Sequence, residues 1–259
     1  MYANSSIQGK YIESVWIENM DSNYVTRLGK VRRSIKEYLD LVDNRMSSIE
    51  KVLLAHEYII NHTEYKNDNA YCHYPAGPLG EGYGVCDGYA LAMALLLKQV
   101  GIETNEVRSS SMNHAWLYVK LDGMWYHIDP TWDDTQKGNK EQYIHRFLIR
   151  NDQEFRTIYG TRPHYEWTVY NDYGSSSVTS TSTKYVNWFV HDVAGTMYYY
   201  NGMWYYWDMS TNSIKCSTIS GNGTKVIVDG SGKDQIKLKG IKNGQMTYSI
   251  GNAQYTKSL

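Results

Sequence analysis

Cysteine is scarce in this chain, which carries only Cys72, Cys86 and Cys216 among its 259 residues. An odd number of cysteines with no Cys-x-x-Cys pair excludes both a disulfide scaffold and a four-thiolate zinc site. At least one thiol is therefore expected to be free. A disulfide between Cys72 and Cys86 is an alternative that the sequence leaves undecided, and it would block the reactivity of whichever thiol is reactive.

Long apolar runs are also missing. The longest is Ala90–Leu97, eight residues, whereas a helix needs about 20 to cross a bilayer. We expect no membrane span. The net charge is −1, and lysine and arginine are scattered along the chain. The sequence therefore has no basic cluster of the kind that binds nucleic acid or an acidic membrane surface.

The chain has few phenylalanines, three against 25 tyrosines and eight tryptophans. Aromatic side chains with polar groups suit wet surfaces, so we predict an extracellular or cell-surface location. The first ten residues lack the apolar core of a signal peptide. The pattern leaves two options, an intracellular protein or one whose leader lies before this sequence.

A Ser/Thr-rich tract without apolar periodicity divides the chain. We predict a catalytic domain with N-terminal helices over 1–172, a linker over 173–183 and a small all-β module over 184–259. Asn201-Gly202 between aromatic runs predicts a hairpin in this module. Further strands are expected over 214–219, 225–228, 235–241 and 246–250. The aromatic residues of the module fit cross-strand packing or a platform for a carbohydrate or peptide, and we expect the module to be separable from the catalytic domain.

Two amphipathic helices are predicted before the centre of the chain, over 27–43 and from Ser47 onward. Ser47 and Glu50 have the spacing of a capping box. His56 lies on the apolar stripe of the second helix, where a hydrogen-bonded core role is expected.

A metal enzyme is the competing chemistry, but no pair of candidate ligands has a recognised zinc spacing. We predict no metal and no cofactor. The candidates weighed are His56, His62, Cys72, His73, Cys86 and His127.

Cys86 follows a glycine-rich stretch and precedes an almost wholly apolar segment. The segment predicts a buried helix over 87–100, which Gly101 would end in the left-handed conformation. The free N–H groups and the positive dipole end of a helix stabilise a thiolate. The glycines around Cys86 are expected to let a substrate backbone come close. A second interpretation, a small apolar side chain that fills the turn, fits the placement equally well.

A second segment, residues 113–133, favours catalysis over packing. Asp122-Gly123 is a preferred two-residue hairpin turn with alternating strands on either side. In that register His114 and Asp129 lie on one face as diagonal neighbours within side-chain reach. A carboxylate can orient an imidazole and stabilise its charged form. With the Cys86 thiol, these groups are the parts of nucleophilic acyl transfer.

Three motifs resemble the bacterial transglutaminase-like superfamily. They are Gly84-Val-Cys-Asp-Gly-Tyr-Ala90, His114-Ala-Trp116 and Trp125-Tyr-His-Ile-Asp-Pro-Thr131. The resemblance implies an α+β, papain-like core, with helices packed on an antiparallel sheet. It also implies that Cys86 is the nucleophile, His114 the base and Asp129 the orienting acid.

The resemblance predicts a cysteine protease or amidase that acts on peptide or protein amides. A transglutaminase that forms isopeptide or amine cross-links is one alternative, and a catalytically silent cell-surface binding protein is another. The β-module is a candidate for binding a cell-surface polymer.

The second oxyanion donor does not follow from the resemblance. Candidates upstream of the nucleophile are Tyr71, His73, Tyr74 and Tyr83. Trp116, Trp125 and Trp132 are expected near the site, as substrate-binding walls or as packing around the hairpin.

Overall fold

The computed structural model describes residues 23–68, 70–134, 145–158 and 166–259, and it begins with two helices that the sequence predicted. Five α-helices are present in these ranges: α1 (Tyr24–Leu41), α2 (Ser48–His62), α3 (Cys86–Gln99), α4 (Pro130–Asp133) and α5 (Asp152–Ile158). Before α3 the chain forms a 3-10 turn over Ala70–His73 and a π-helical turn over Gly77–Glu81.

Local signals in the sequence account for the ends of the two central helices. At the start of α2, the Glu50 carboxylate accepts hydrogen bonds from the backbone N–H and the hydroxyl of Ser47, at 2.9 and 2.7 Å. At the end of α3, Gly101 has φ of 74°, and Ile102 donates its N–H back to the Leu97 carbonyl at 3.1 Å. This is the left-handed termination that the glycine predicted.

The helices pack against a six-stranded antiparallel sheet. Its strands are β3 (Thr104–Ser109), β4 (His114–Leu121), β5 (Met124–Ile128), β6 (Leu148–Arg150), β7 (Thr168–Asn171) and β8 (Gly174–Ser176), in the order β6-β5-β4-β3-β7-β8. A two-stranded parallel sheet of β1 (Glu64–Tyr65) and β2 (Tyr83–Gly84) lies before α3. The buried helix α3 packs on β4 at the centre of the larger sheet.

The β4–β5 hairpin has the predicted register. Leu121 pairs with Met124 across the turn, and both turn residues, Asp122 and Gly123, have positive φ. Such a turn matches the twist of the two strands that it joins. Asp129 consequently follows directly after β5, beside the start of β4.

The C-terminal region is all-β, with two antiparallel sheets. One has the order β12-β11-β10-β9 and the other β13-β14-β15. The strands are β9 (Ala194–Tyr200), β10 (Met203–Asp208), β11 (Ser213–Ser217), β12 (Lys225–Val228), β13 (Ile236–Lys242), β14 (Gln245–Ile250) and β15 (Ala253–Ser258). The predicted hairpin at Asn201-Gly202 joins β9 to β10. β15 was not predicted, because all of its residues are exposed and show no apolar alternation.

The helical and C-terminal regions share one hydrophobic core, which argues against the expected separable β-module. Leu53 and Leu97 of the helices belong to the same buried cluster as Trp188, Met197 and Trp204. The Trp204 indole also donates a hydrogen bond to Glu50 at 3.1 Å. The predicted α+β class is confirmed, whereas the domain boundaries stay a prediction.

The Ser/Thr-rich tract over 173–183 is largely exposed, but it is anchored to the large sheet and is not a free linker. Its first residues form β8, at the edge of the large sheet. Ser180 is buried and donates its hydroxyl proton to the Trp125 carbonyl at 2.6 Å. The sequence alone could not show this, because the contacts join residues about 55 positions apart.

No helix among the described ranges combines the length and the apolar character that a bilayer crossing requires.

Candidate active site

Cys86 is the first residue of α3, and its side chain is partly exposed. Val85 caps the helix and donates its N–H to the Cys72 carbonyl at 3.0 Å. The N–H groups of a first helical turn have no acceptor within the helix. The backbone of Cys86 is therefore suited to donate to an oxyanion formed beside its sulfur.

The glycines around Cys86 serve internal packing, which corrects the expectation that they admit a substrate backbone. A Cβ atom on Gly88 would lie 2.1 Å from the Cys72 carbonyl oxygen, and one on Gly84 would lie 2.7 Å from Pro78. The start of α3 thus sits tightly against the loop that carries Cys72. This contact fixes the position of Cys86.

His114 and Asp129 meet at the open end of the β4–β5 hairpin. The Nε2 atom of His114 lies 2.6 Å from Oδ2 of Asp129. The other carboxylate oxygen accepts the N–H groups of Thr131 and Trp132, both at 3.1 Å. Since Asp129 is fully buried, these bonds hold its carboxylate in one orientation toward the imidazole.

Cys86 lies close enough to His114 to raise the pKa of its imidazole. Its Nε2 atom is occupied by Asp129, so Nδ1 is the nitrogen left for the thiol. Burial lowers the pKa of His114. The charge and hydrogen bond of Asp129, and then Cys86, raise it by more than burial lowers it, so the pKa is about 10. The structure therefore brings the three predicted catalytic side chains together and favours a protonated imidazole.

Two tryptophans flank His114, but only one faces solvent. Trp132 is 42% exposed, with its ring centroid 5.5 Å from that of His114. Trp116 stacks on His114 at 5.6 Å and is fully buried. The prediction of Trp116 as a substrate-binding residue is therefore wrong, because no substrate can reach it. Trp125 is also buried, and it pairs with Lys120 toward the far end of the hairpin.

A buried polar chain holds Trp116 beneath His114, and the sequence did not predict it. Trp116 donates its indole N–H to Nδ1 of His127 at 2.8 Å, and Nε2 of His127 lies 2.9 Å from Asp152. Burial is the main reason why the pKa of His127 falls to about 4. His127 is therefore neutral at physiological pH, accepting at Nδ1 and donating from Nε2 to Asp152.

The candidate oxyanion donors lie in the segment before α3. Tyr83 is in β2, with Lys66 5.6 Å above its ring, and Tyr74 follows the 3-10 turn with 37% of its surface exposed. The Tyr71 ring packs under the Arg27 guanidinium at 3.6 Å. His73 lies 2.9 Å from Asp87, the residue after Cys86. That one of these side chains is the second hydrogen-bond donor to the oxyanion stays a prediction.

Tyr65 is a neighbour of the site that the sequence did not reveal. It is half exposed, and its pKa is raised by burial and then by the charges of Cys86 and Asp87. β1 places it there by pairing in parallel with β2, just before the nucleophile. A two-residue strand gives no periodic signal that could have predicted this pairing.

Of the metal candidates weighed from the sequence, His56 is the one that belongs to a potential ligand group among the described residues. Cys72 is buried with its sulfur 3.5 Å from the Asn67 amide oxygen, and all three thiols are free. His62 stacks on Tyr58. Within the part of the chain that the structure describes, one group could hold a metal ion, formed by His56, Glu57 and His145.

Comparisons with known proteins agree with the motifs at the level of the family. Residues 37–130 match the model of the transglutaminase-like superfamily, and this range includes Cys86, His114 and Asp129. A comparison with curated proteins found no match.

Three solved structures show low similarity to the chain. A crystal structure of a TGase is 20% identical, with a TM-score of 0.35, over 49% of this chain and 37% of that one. A candidate cysteine protease from Cytophaga hutchinsonii is 20% identical, with a TM-score of 0.34, over 45% of each chain. Calcium-bound LapG of Legionella pneumophila is 12% identical, with a TM-score of 0.36, over 64% of this chain and 86% of LapG. The chain spans less than half the length of the first two. The match over residues 37–130 shows that this part of the chain is similar to the core of the transglutaminase-like superfamily, in agreement with the three motifs.

Proposed function

We propose that the protein is a thiol-dependent acyl-transfer enzyme that hydrolyses peptide or protein amides. One observation carries the proposal. His114 is bonded to Asp129 at 2.6 Å, and Cys86, at the start of α3, is near enough to raise the pKa of the same imidazole. A nucleophile, a base and an orienting carboxylate in that order are the parts of covalent amide cleavage.

In the proposed first step, the Cys86 sulfur attacks the amide carbonyl carbon and forms a tetrahedral oxyanion. The Cys86 backbone N–H donates to this oxygen. The His114 imidazolium then gives its Nδ1 proton to the leaving nitrogen, the carbon–nitrogen bond breaks and an acyl thioester remains. Asp129 holds the imidazole with its Nδ1 atom toward the sulfur throughout.

In the second step, neutral His114 removes a proton from water as the water oxygen attacks the thioester. The carbon–sulfur bond breaks, the carboxylic acid leaves, and the Cys86 and His114 pair is restored. A primary amine in place of water would give a cross-linked amide. The burial of Trp116 and Trp125 supports hydrolysis, because two of the three tryptophans that could wall an amine channel are inside the protein.

The choice between water and amine is tested with a library of glutamine-containing peptides, incubated with and without a labelled primary amine. Mass spectrometry measures cleavage, deamidation and amine incorporation, with Cys86→Ala as the control. We expect cleaved or deamidated products that are absent from the control. Dominant amine incorporation would replace hydrolysis with transamidation, and inactivity of the native chain on every substrate would favour a binding protein.

We further propose that the protein acts outside the cell or at its surface, where its C-terminal sheets contact a polymer. The polar aromatic composition supports this location. On the three-stranded sheet, Tyr248 and Tyr255 stack at 5.4 Å, and Tyr255 is 44% exposed. Binding of Cys86→Ala and of Cys86→Ala/Tyr255→Ala to insoluble polysaccharides tests the surface, and equal retention would contradict it.

A further inference from the structure

We propose a buried site for a divalent transition-metal ion, formed by His56 and Glu57 of α2 and by His145, just before β6. Each residue places one potential ligand atom within 4.8 Å of the other two. The histidines are fully buried and Glu57 is 4% exposed. Two imidazoles and a carboxylate are a donor set for zinc and related ions.

The ring of His145 is oriented as that of a metal ligand. The Val193 carbonyl can only accept a hydrogen bond, so the proton of His145 lies on Nδ1, 3.0 Å from that oxygen. Its Nε2 atom faces the Glu57 carboxylate at hydrogen-bonding range. A lone pair and a carboxylate can face each other only with a positive charge between them, either a second proton or a metal ion.

His56 is held by the same kind of outer contact. Its Nε2 atom lies 3.0 Å from Oδ2 of Asp133. Its Nδ1 atom is buried without a hydrogen-bond partner among the described residues. A carboxylate that accepts from the far nitrogen of a histidine is the usual outer contact of a metal site. A shared proton between His145 and Glu57 would leave the Nδ1 atom of His56 unsatisfied, whereas a metal ion would use it.

The surrounding charge also favours a cation. Asp129, Asp133 and Asp134 are buried close to one another along α4 and at its ends, and Glu57 adds a fourth carboxylate nearby. Buried carboxylates are costly without compensating positive charge. Asp129 already has a positive partner in His114, and a divalent ion bound by His56, Glu57 and His145 would supply one for Glu57.

The site is structural rather than catalytic, since its three ligands are closed to solvent. The ion joins α2 to the chain that enters β6, 88 residues later. Through His56 and Asp133 it also braces α4, whose first turn is capped by Asp129. The sequence predicted no metal because no pair of the candidate ligands had a recognised zinc spacing, and Glu57 and His145 were not among those candidates.

The test uses the full chain with Cys86→Ala, so that the exposed thiol does not compete for metal. The protein is purified without chelators or a histidine tag, and its metal content is measured by plasma mass spectrometry. A second sample is unfolded with a chelator and refolded with Zn²⁺, with Co²⁺ or without metal. We expect about one ion per chain, a Co²⁺ absorption spectrum of low symmetry, and a Tm about 5 °C or more above that of the metal-free protein.

Three variants identify the ligands, namely His56→Gln, Glu57→Gln and His145→Gln, and His62→Gln on the same helix is the matched control. We expect the ligand variants to lose the ion and the control to keep it. Metal-free native protein that refolds without taking up Zn²⁺ or Co²⁺ would overturn the proposal, whether or not the variants fold. Retention of the ion by all three variants would show binding elsewhere and would overturn it too. Amide hydrolysis is measured separately, so either proposal can fail alone.

Discussion

Asp129 engages both carboxylate oxygens, one with His114 and the other with the backbone of α4. An asparagine keeps the shape of this side chain and loses its charge. Losing this charge would weaken the binding of the proton on His114. Asp129 supplies the largest contribution that raises the His114 pKa against the effect of burial.

We expect Asp129→Asn to lower the pKa of His114 from about 10 toward its ordinary value, and kcat/KM by about 10²–10⁴-fold. Because the folded pKa is raised, the proton on His114 stabilises the native state fully below the unfolded pKa of about 6.5. That stabilisation is lost as pH rises through about 10. Nitrogen-15 NMR of the ring against pH measures the shift, with Asp40→Asn on α1 as the control. An unchanged midpoint in the variant would remove Asp129 from its proposed role.

Trp132 is the exposed aromatic residue beside His114, and we expect it to contact substrate. Trp132→Ala should raise KM on peptides by about tenfold with a smaller change in kcat, since removing uniform binding affects KM alone. Steady-state kinetics on one peptide series measures the two constants. An unchanged KM would contradict a contact between Trp132 and substrate, and would leave Trp132 with a packing role beside His114.

At the scale of elements, local rules predicted the parts that position the triad. The Asp122-Gly123 turn fixed the β4–β5 register, and Ser47 with Glu50 marked the start of α2. These signals work because the interacting residues are neighbours along the chain. The contacts of His56 with Asp133 and of His145 with Glu57 join residues 77 and 88 positions apart. No periodicity encodes such pairs, so the sequence predicted a buried His56 but not its partners.

The start of α3 depends on a glycine for its position. In Gly88→Ala the new Cβ would lie 2.1 Å from the Cys72 carbonyl oxygen, so the first turn must shift away from that loop. We expect a loss of about 1–3 kcal/mol in the free energy of unfolding and at least a tenfold slower alkylation of Cys86 by iodoacetamide. Urea unfolding and timed mass spectrometry measure the two effects.

Gly29→Ala on α1 is the matched control, because the space around Gly29 is open to 4 Å. Alanine favours a helix over glycine by about 1 kcal/mol, so this variant should be as stable as the native protein or more so. Equal alkylation rates in Gly88→Ala and Gly29→Ala would show that the contact with Cys72 does not position the nucleophile.

The whole molecule depends on its C-terminal sheets for more than apolar packing. Buried polar groups before residue 184 have partners in the chain that follows it. His145 donates to the Val193 carbonyl, the Leu148 carbonyl accepts from His191, and Glu50 accepts from Trp204. Each buried polar group left without a partner costs about 1–3 kcal/mol. Removing the C-terminal region therefore exposes part of the hydrophobic core to solvent and also removes the hydrogen-bond partners of these polar groups.

We expect a chain that ends at residue 183 to lose cooperative folding, although it keeps Cys86, His114 and Asp129. Near-ultraviolet circular dichroism and thermal melting should show no sharp transition, because the shared core would be cut through Trp188, Met197 and Trp204. The matched control is the full chain cleaved at a protease site inserted beside Tyr173, which is 98% exposed in the turn between β7 and β8. Its two pieces should stay associated and keep the Tm and the activity of the intact chain, since cleavage there removes no core contact. A truncated chain that melts cooperatively at the Tm of the full protein would instead show that the helical region folds on its own, as the Ser/Thr-rich tract had suggested.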